Sequence, residues 1–203
     1  MIHSSLSFLT HELNDYLKLR TGVSDVDRVF LTSVATESGG IVIPDKALGL
    51  SLMNIEEERV FKDQRTTLIN DQGIAEHLNP EIKLNLYILI SANFQDQDTA
   101  DSSDDYVEGL KQLSYAISFF QSKNVFTLEN SPLMATYDAA LLKLVVELYS
   151  YSFEQLYNFW TVVGAKYLPS VLYKVRLVKF QERAVQDANL PIEKIKIDSQ
   201  TKL

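Results

Sequence analysis

The chain has 203 residues, 46% hydrophobic and 23% charged, with 10 Tyr, 10 Phe and 1 Trp. That is the composition of one globular domain able to bury its own core, and it excludes a disordered chain. Lys and Arg number 19 against 27 Asp and Glu, a net charge of −8, which disfavours a general grip on nucleic acid or an anionic membrane. The absence of Cys and the restriction of His to His3, His11 and His77 exclude disulfides, thiolate metal sites and Cys nucleophiles. They also leave little material for a metalloenzyme or a triad hydrolase.

The first 17 residues, MIHSSLSFLTHELNDYL, have no basic segment ahead of an apolar run and predict no signal peptide. Leu6, Leu9, Leu13 and Tyr16/Leu17 recur at steps of three and four, a helical stripe with Ser4 or Ser5 to cap it and Thr21-Gly22 to end it. Residues 28–35 predict a strand, Glu37-Ser38-Gly39-Gly40 a hairpin turn, and Ile41-Val42-Ile43 its short antiparallel partner. Leu48, Leu50 and Leu52 alternate with small residues and predict a third strand over residues 48–59. Residues 62–80 form a polar connection, and residues 84–91 predict a fourth strand with one core face and one helix-covered face. Asp96, Asp98, Asp101, Asp104, Asp105 and Glu108 follow. They lack the glycine and terminal Glu of a calcium-binding EF-hand loop and read as a solvated loop favourably charging a helix N-terminus.

That helix is predicted from Tyr106, Leu110, Leu113, Ile117 and Phe120, spaced 4, 3, 4, 3. Val125-Phe126-Thr127 predicts a short strand, and residues 141–148, LLKLVVEL, a central strand covered on both faces. The 139–148 run is too short to span a bilayer. Ser152-Phe153-Glu154-Gln155 is a capping box. It opens a helix bearing Phe153, Leu156, Tyr157, Trp160 and Val163, the tyrosine and tryptophan read as core, with Gly164 as its left-handed end. Val171, Tyr173, Val175 and Leu177 predict the last strand. Residues 184–203 are polar, with Pro191 and a small alternating patch of Ile192, Ile195 and Ile197, and read as an arm beyond a domain of residues 1–183. The fold class expected is α+β: a mixed, mainly antiparallel sheet with about three helices packed on it.

No phosphate-cradling glycine loop and no nucleophile elbow occurs in the sequence. Glu56-Glu57-Glu58-Arg59 is the densest acidic run outside the Asp-rich stretch. On a strand, Glu56 and Glu58 share a face and Glu57 points away; paired carboxylates there read as an exposed rim sooner than as an acid–base pair. No catalytic, cofactor or metal residue emerges.

Six stretches carry a resemblance: LSFLTHELNDYLKL from Leu6, LMNIEEER from Leu52, LNLYILI from Leu84, AISFFQSKNVF from Ala116, ELYSYSFEQL from Glu147, and WTVVGAKYLPSVLYKVR from Trp160. Together they resemble the N-terminal domain of the cap, or tube-terminator, protein of extracellular contractile injection systems, the phage-tail-like particles that include antifeeding prophages and virulence cassettes. The resemblance implies a tail-terminator-like fold and a homohexameric ring that closes the distal end of the inner tube and meets the last sheath ring, with no catalysis and no cofactor. The implied partners are further copies of the chain, the tube protein and the sheath protein, with cytoplasmic assembly followed by release in a particle. Glu56, Glu57, Glu58 and Arg59 are then candidates for a contact between subunits or with the tube, or equally for an ion-pair cluster within the chain. Lys123, Asn124, Phe126, Lys166, Tyr167 and Pro169, at element ends in the matching motifs, are candidate ring contacts, and Ile192, Ile195 and Ile197 a candidate added strand. Two other roles compete: an adaptor joining the cap to another component or the envelope, and a hydrolase built on the acidic residues.

Overall fold

Alternating apolar residues build a six-stranded sheet whose two faces carry different helices. The computed structural model describes residues 1–23, 25–58, 67–69, 75–77, 82–94, 102–180 and 187–189. In chain order the elements are α1 (Ile2–Thr21), β1 (Val29–Leu31), β2 (Ala47–Glu57), β3 (Thr67–Ile69), β4 (Ala75–His77), β5 (Ile82–Asn93) and α2 (Ser102–Ser122). There follow β6 (Val125–Thr127), α3 (Met134–Tyr137), β7 (Lys143–Tyr149), α4 (Phe153–Val163), β8 (Ser170–Phe180) and β9 (Asp187–Asn189). The main sheet runs β1-β2-β5-β8-β7-β6. Every pairing in it is antiparallel except β1 with β2. The mixed α+β class, the mainly antiparallel sheet and the three long helices are as the sequence predicts; the one-turn α3 is additional.

One face carries α1 and α2. Leu6, Phe8, Leu9, Leu13 and Leu17 of α1 meet Leu48 and Leu50, Leu86, Ile88 and Ile90, Val175 and Leu177, and the rings of Phe119, Phe120 and Phe126, all buried. Asn14 splices α1 to the sheet edge: its buried Oδ1 accepts from the Arg28 and Val29 amides, each at 2.9 Å, and its Nδ2 donates to the Val29 carbonyl at 2.8 Å. The other face carries α4, whose Trp160 packs with Val34, Ile43, Ala47, Leu89, Leu168 and Leu172. Thus β5 is buried on both sides over its second half, as expected.

Several expectations are corrected. The α1 helix starts at Ile2 after Met1 with no side-chain cap, and the Ser5 hydroxyl instead donates to the Ile2 carbonyl. The expected hairpin is present only in reduced form: β1 covers Val29–Leu31 alone, and the antiparallel pairing around the Gly39-Gly40 turn is limited to the Ala35–Ile41 bridge, with the Thr36 amide donating to the Gly40 carbonyl and the Val42 amide to the Val34 carbonyl, before the segment buries Ile43. That excursion returns the chain alongside β1, so β1 and β2 run parallel. The buried face of α2 is Leu113, Ala116, Phe119 and Phe120, while Tyr106, Leu110 and Ile117 stay largely exposed. Gly109 and Ala116 are the small residues that let this face lie close, with Phe94 directly over Gly109. The strand β7 buries one face only, through Leu144 and Val146, and at its end Leu148 is 59% exposed.

The polar connection contains a hairpin, β3 with β4, and β9 from the expected arm pairs with β4 in a separate three-stranded sheet.

Candidate functional site

The face that carries α4 is only half covered, for a reason of length. A helix of 11 residues is about 16 Å long, whereas the 12-residue β5 extends to about 40 Å. Beyond Leu89 and Leu172 the strands present polar side chains instead. A bulge in β2 puts carboxylates among them. Leu52 faces Ile88, but the next pair is Asn54 with Tyr87, so Met53 is an extra residue. Without it, alternation would carry the even positions from Leu48 through Leu52 to Glu56 on the α1/α2 face. The bulge switches the phase, so Glu56 and Glu58 join Asn85 and Tyr87 on the α4 face.

The result is a polar row across four strands. The Tyr87 hydroxyl donates to Glu56 at 2.8 Å, and Asn85 Nδ2 donates to Glu58 at 3.1 Å. Lys174 Nζ lies 3.9 Å from Glu58, and Arg176 grips both oxygens of Glu147 at 2.5 and 2.7 Å. The Glu147 hydrogen bond and charge hold the Arg176 guanidinium even more firmly protonated than usual. Burial first, and then the Glu56 hydrogen bond, push the Tyr87 hydroxyl up to about 12, so it remains a donor at neutral pH.

Between this row and α4 lies an aromatic cleft lined by Met53, Asn54, Glu56, Tyr87, Tyr149, Tyr151, Phe159 and Leu172. Its rings form a chain: Tyr87 to Tyr149 at 5.2 Å between centroids, Tyr149 to Tyr151 at 5.9 Å, and Tyr151 to Phe159 at 6.1 Å. Burial pushes the Tyr151 hydroxyl up to about 12.

The α4 helix turns its other side to solvent. Its capping box is complete: Ser152 Oγ accepts from the Gln155 amide at 3.2 Å and the Gln155 side chain accepts from the Ser152 amide at 3.0 Å. Its end is Gly164 at φ 70°, a left-handed residue. Trp160 is buried, but Phe153 is 92%, Tyr157 73% and Val162 88% exposed. Tyr157 is therefore a surface residue, correcting its assignment to the core.

The structure separates the predicted contact residues. Glu56 and Glu58 lie in the polar row. The Lys123 ammonium bonds Glu12 at 2.7 Å and sits 5.0 Å from the Phe126 ring centroid. The Asn124 carbonyl accepts from Val146. Phe126 is fully enclosed among Phe8, Phe119 and Phe120; it belongs to the core and has no surface for another chain, which corrects its candidacy. Lys166 and Tyr167 are exposed beside α4, with the Tyr167 ring 5.5 Å from Trp160. The Pro169 carbonyl accepts from the Ala92 amide. Glu57 ends β2 on the opposite face from Glu56. Arg59, Ile192, Ile195 and Ile197 lie outside the described residues, as do Asp96, Asp98 and Asp101. Asp104 and Asp105 sit in the first turn of α2, with Asp105 3.4 Å from Lys46. Among the described residues no group of three or more His, Asp or Glu is placed to hold a metal ion, and no helix is long and apolar enough to cross a membrane.

Residues 6–194 match the family model described as the Pvc16 N-terminal domain. The chain belongs to that family. Two solved structures share its fold. One is the sheath/tube terminator of an extracellular contractile injection system, PVC, in its extended state, with a TM-score of 0.55 at 14% identity over 95% of this chain. The other is the tube-terminating cap of the anti-feeding prophage, with a TM-score of 0.52 at 12% identity over 93% of this chain. The chain spans 63% and 59% of the length of those two proteins. No curated protein is similar enough to count as a match.

Proposed function

We propose that the protein is a non-catalytic cap of a contractile injection system: a ring of six copies that ends the inner tube and contacts the last sheath ring. The observation that carries this reading is the terminator fold across nearly the whole chain, in a member of the Pvc16 N-terminal domain family. The surface supports it. A closed ring needs two different patches on each subunit, and exposed aromatics are the usual anchors of such patches. Phe153 and Tyr157, one turn apart on α4, supply one; Leu148 with Ile117, flanking a groove over Phe120 and Tyr173, supplies a second. Glu58, Lys166 and Tyr167 contribute polar contacts around the first.

Residues 190–203 are proposed to act as an arm, with Ile192, Ile195 and Ile197 adding a strand to a neighbouring subunit or to sheath. Removing residues 190–203 is expected to leave the ring intact and to weaken sheath attachment; unchanged attachment contradicts the arm. The capping reading itself is tested by removing the whole chain from a producing strain. Tubes and sheaths of uncontrolled length are expected, restored to uniform length by supplying the protein. Uniform, capped particles without it contradict the reading, and particles of normal length that fail to join another component favour the adaptor instead.

A further inference from the structure

The aromatic cleft has a volume of about 230 Å³, below the 300–1,000 Å³ or so of pockets for drug-sized ligands. It is the size for one long side chain. Three tyrosines and Phe159 wall it, Leu172 floors it, and Glu56 and Asn54 stand at its polar end.

Glu56 stands apart from the ion pairs of the adjoining row. Glu58 has Lys174 and Glu147 has Arg176, but among the described residues Glu56 has only the Tyr87 hydroxyl. The carboxylate with no described cation partner is the one that borders the aromatic walls. Aromatic faces attract a cation placed over them, and a carboxylate at the rim adds to that attraction. An apolar side chain would fill the walls but leave Glu56 without a cation.

We propose that this cleft is a cation–π pocket that receives one lysine or arginine side chain from a partner protein of a different kind, its stem against Tyr149 and Tyr151 and its charge at the Tyr87–Glu56 end. A second copy of this chain is a poor donor, because each copy carries −8 and two acidic surfaces repel. The inference rests on the capping reading for the expectation of a protein partner; the chemistry of the cleft stands apart from it. The high Tyr87 hydroxyl pKa, about 12, keeps a neutral donor on Glu56, so the carboxylate stays oriented and the ring stays uncharged at neutral pH.

The test uses the full chain with aromatic and methyl resonances followed by NMR while Nα-acetyl-arginine amide is added. Saturable shifts are expected at Tyr87, Tyr149, Tyr151, Phe159 and Met53, weakened by salt. Nα-acetyl-norleucine amide, which has the stem without the charge, is expected to bind at least about tenfold more weakly. Glu56→Gln is expected to weaken arginine-amide binding about fivefold. Tyr149→Leu, which keeps an apolar wall and removes a ring, is expected to weaken it as well. Equal binding of the norleucine compound, absence of shifts at the cleft, or indifference to both substitutions overturns the proposal. So do cleft shifts that appear on concentrating the protein alone, which would give the site to a second copy. Each of these failures would leave tube capping untouched, so the two readings fall separately.

Discussion

Two small residues decide much of the local geometry. A Cβ built on Gly49 of β2 would stand 2.5 Å from the side chain of Ile43, which is itself buried. The glycine is there so that the 41–43 segment can lie flat on the sheet. Gly49→Ala is expected to cost about 1–3 kcal/mol by overpacking, read by chemical denaturation, and Ile43→Ala in the same chain should recover part of it. Asn14 matters through its amide. Asn14→Ala orphans the buried Val29 amide and the part-buried Arg28 amide and is expected to cost about 1–3 kcal/mol, whereas a substitution at exposed His11 should change stability by less than about 0.5 kcal/mol. Asp138 gives a pH dependence. The Ala140 amide, at 3.0 Å, and then the N-terminal ammonium hold its carboxyl below the usual carboxylate range. A depressed folded-state pKa contributes stability that is present above the ordinary Asp value and lost as pH falls through the folded value. Asp138→Asn should therefore lower stability at neutral pH and flatten the acid limb of a stability–pH curve. The roles of Gly164 and Ser152 were legible because caps are local; Asn14 was not, because its partners lie 14 and 15 residues away.

At the scale of elements, strand phase and helix rotation separate what the sequence shows from what it hides. The β5 and β8 strands and the α4 helix with both its caps follow directly from alternation and capping chemistry. The bulge in β2 is different. Its signal is the adjacency of Leu52 and Met53 followed by Ile55, a shift of the apolar phase from even to odd positions. Simple alternation does not flag it, yet it alone brings Glu56 beside Tyr87. The buried stripe of α2 is rotated by about one residue from the one its large apolar side chains predict, because Gly109 and Ala116 count as weak hydrophobes in a sequence but permit the closest approach in space. The outer side of α4 shows the converse. Phe153, Tyr157 and Val162 are apolar, and a monomer gives them nothing to pack on. Phe153→Ser is expected to leave monomer stability within about 0.5 kcal/mol while reducing assembly, measured by thermal unfolding alongside light scattering. A large drop in stability with assembly intact would place this ring in the fold and remove it from the interface.

At the scale of the molecule, the two faces of one sheet have divided their work. The α1/α2 face holds the larger core, with 25 buried residues among those described. The α4 face holds the smaller one, together with the polar row, the aromatic cleft and the exposed helix. Six copies would carry six times −8, or −48, so a ring of this chain needs apolar anchors strong enough to hold like-charged subunits together, and basic partners would bind it best. The fold and its helices were legible in the sequence because they depend on periodicity; the proposed interaction face was not, because it depends on which surface the short α4 leaves bare. The measurement that tests the capping account most directly is the position of this chain in intact particles by cryo-electron microscopy. Density for the described fold in a sixfold ring closing the distal end of the tube, against the last sheath ring, is the predicted result. Density elsewhere in the particle, or a distal end closed without it, would contradict the account.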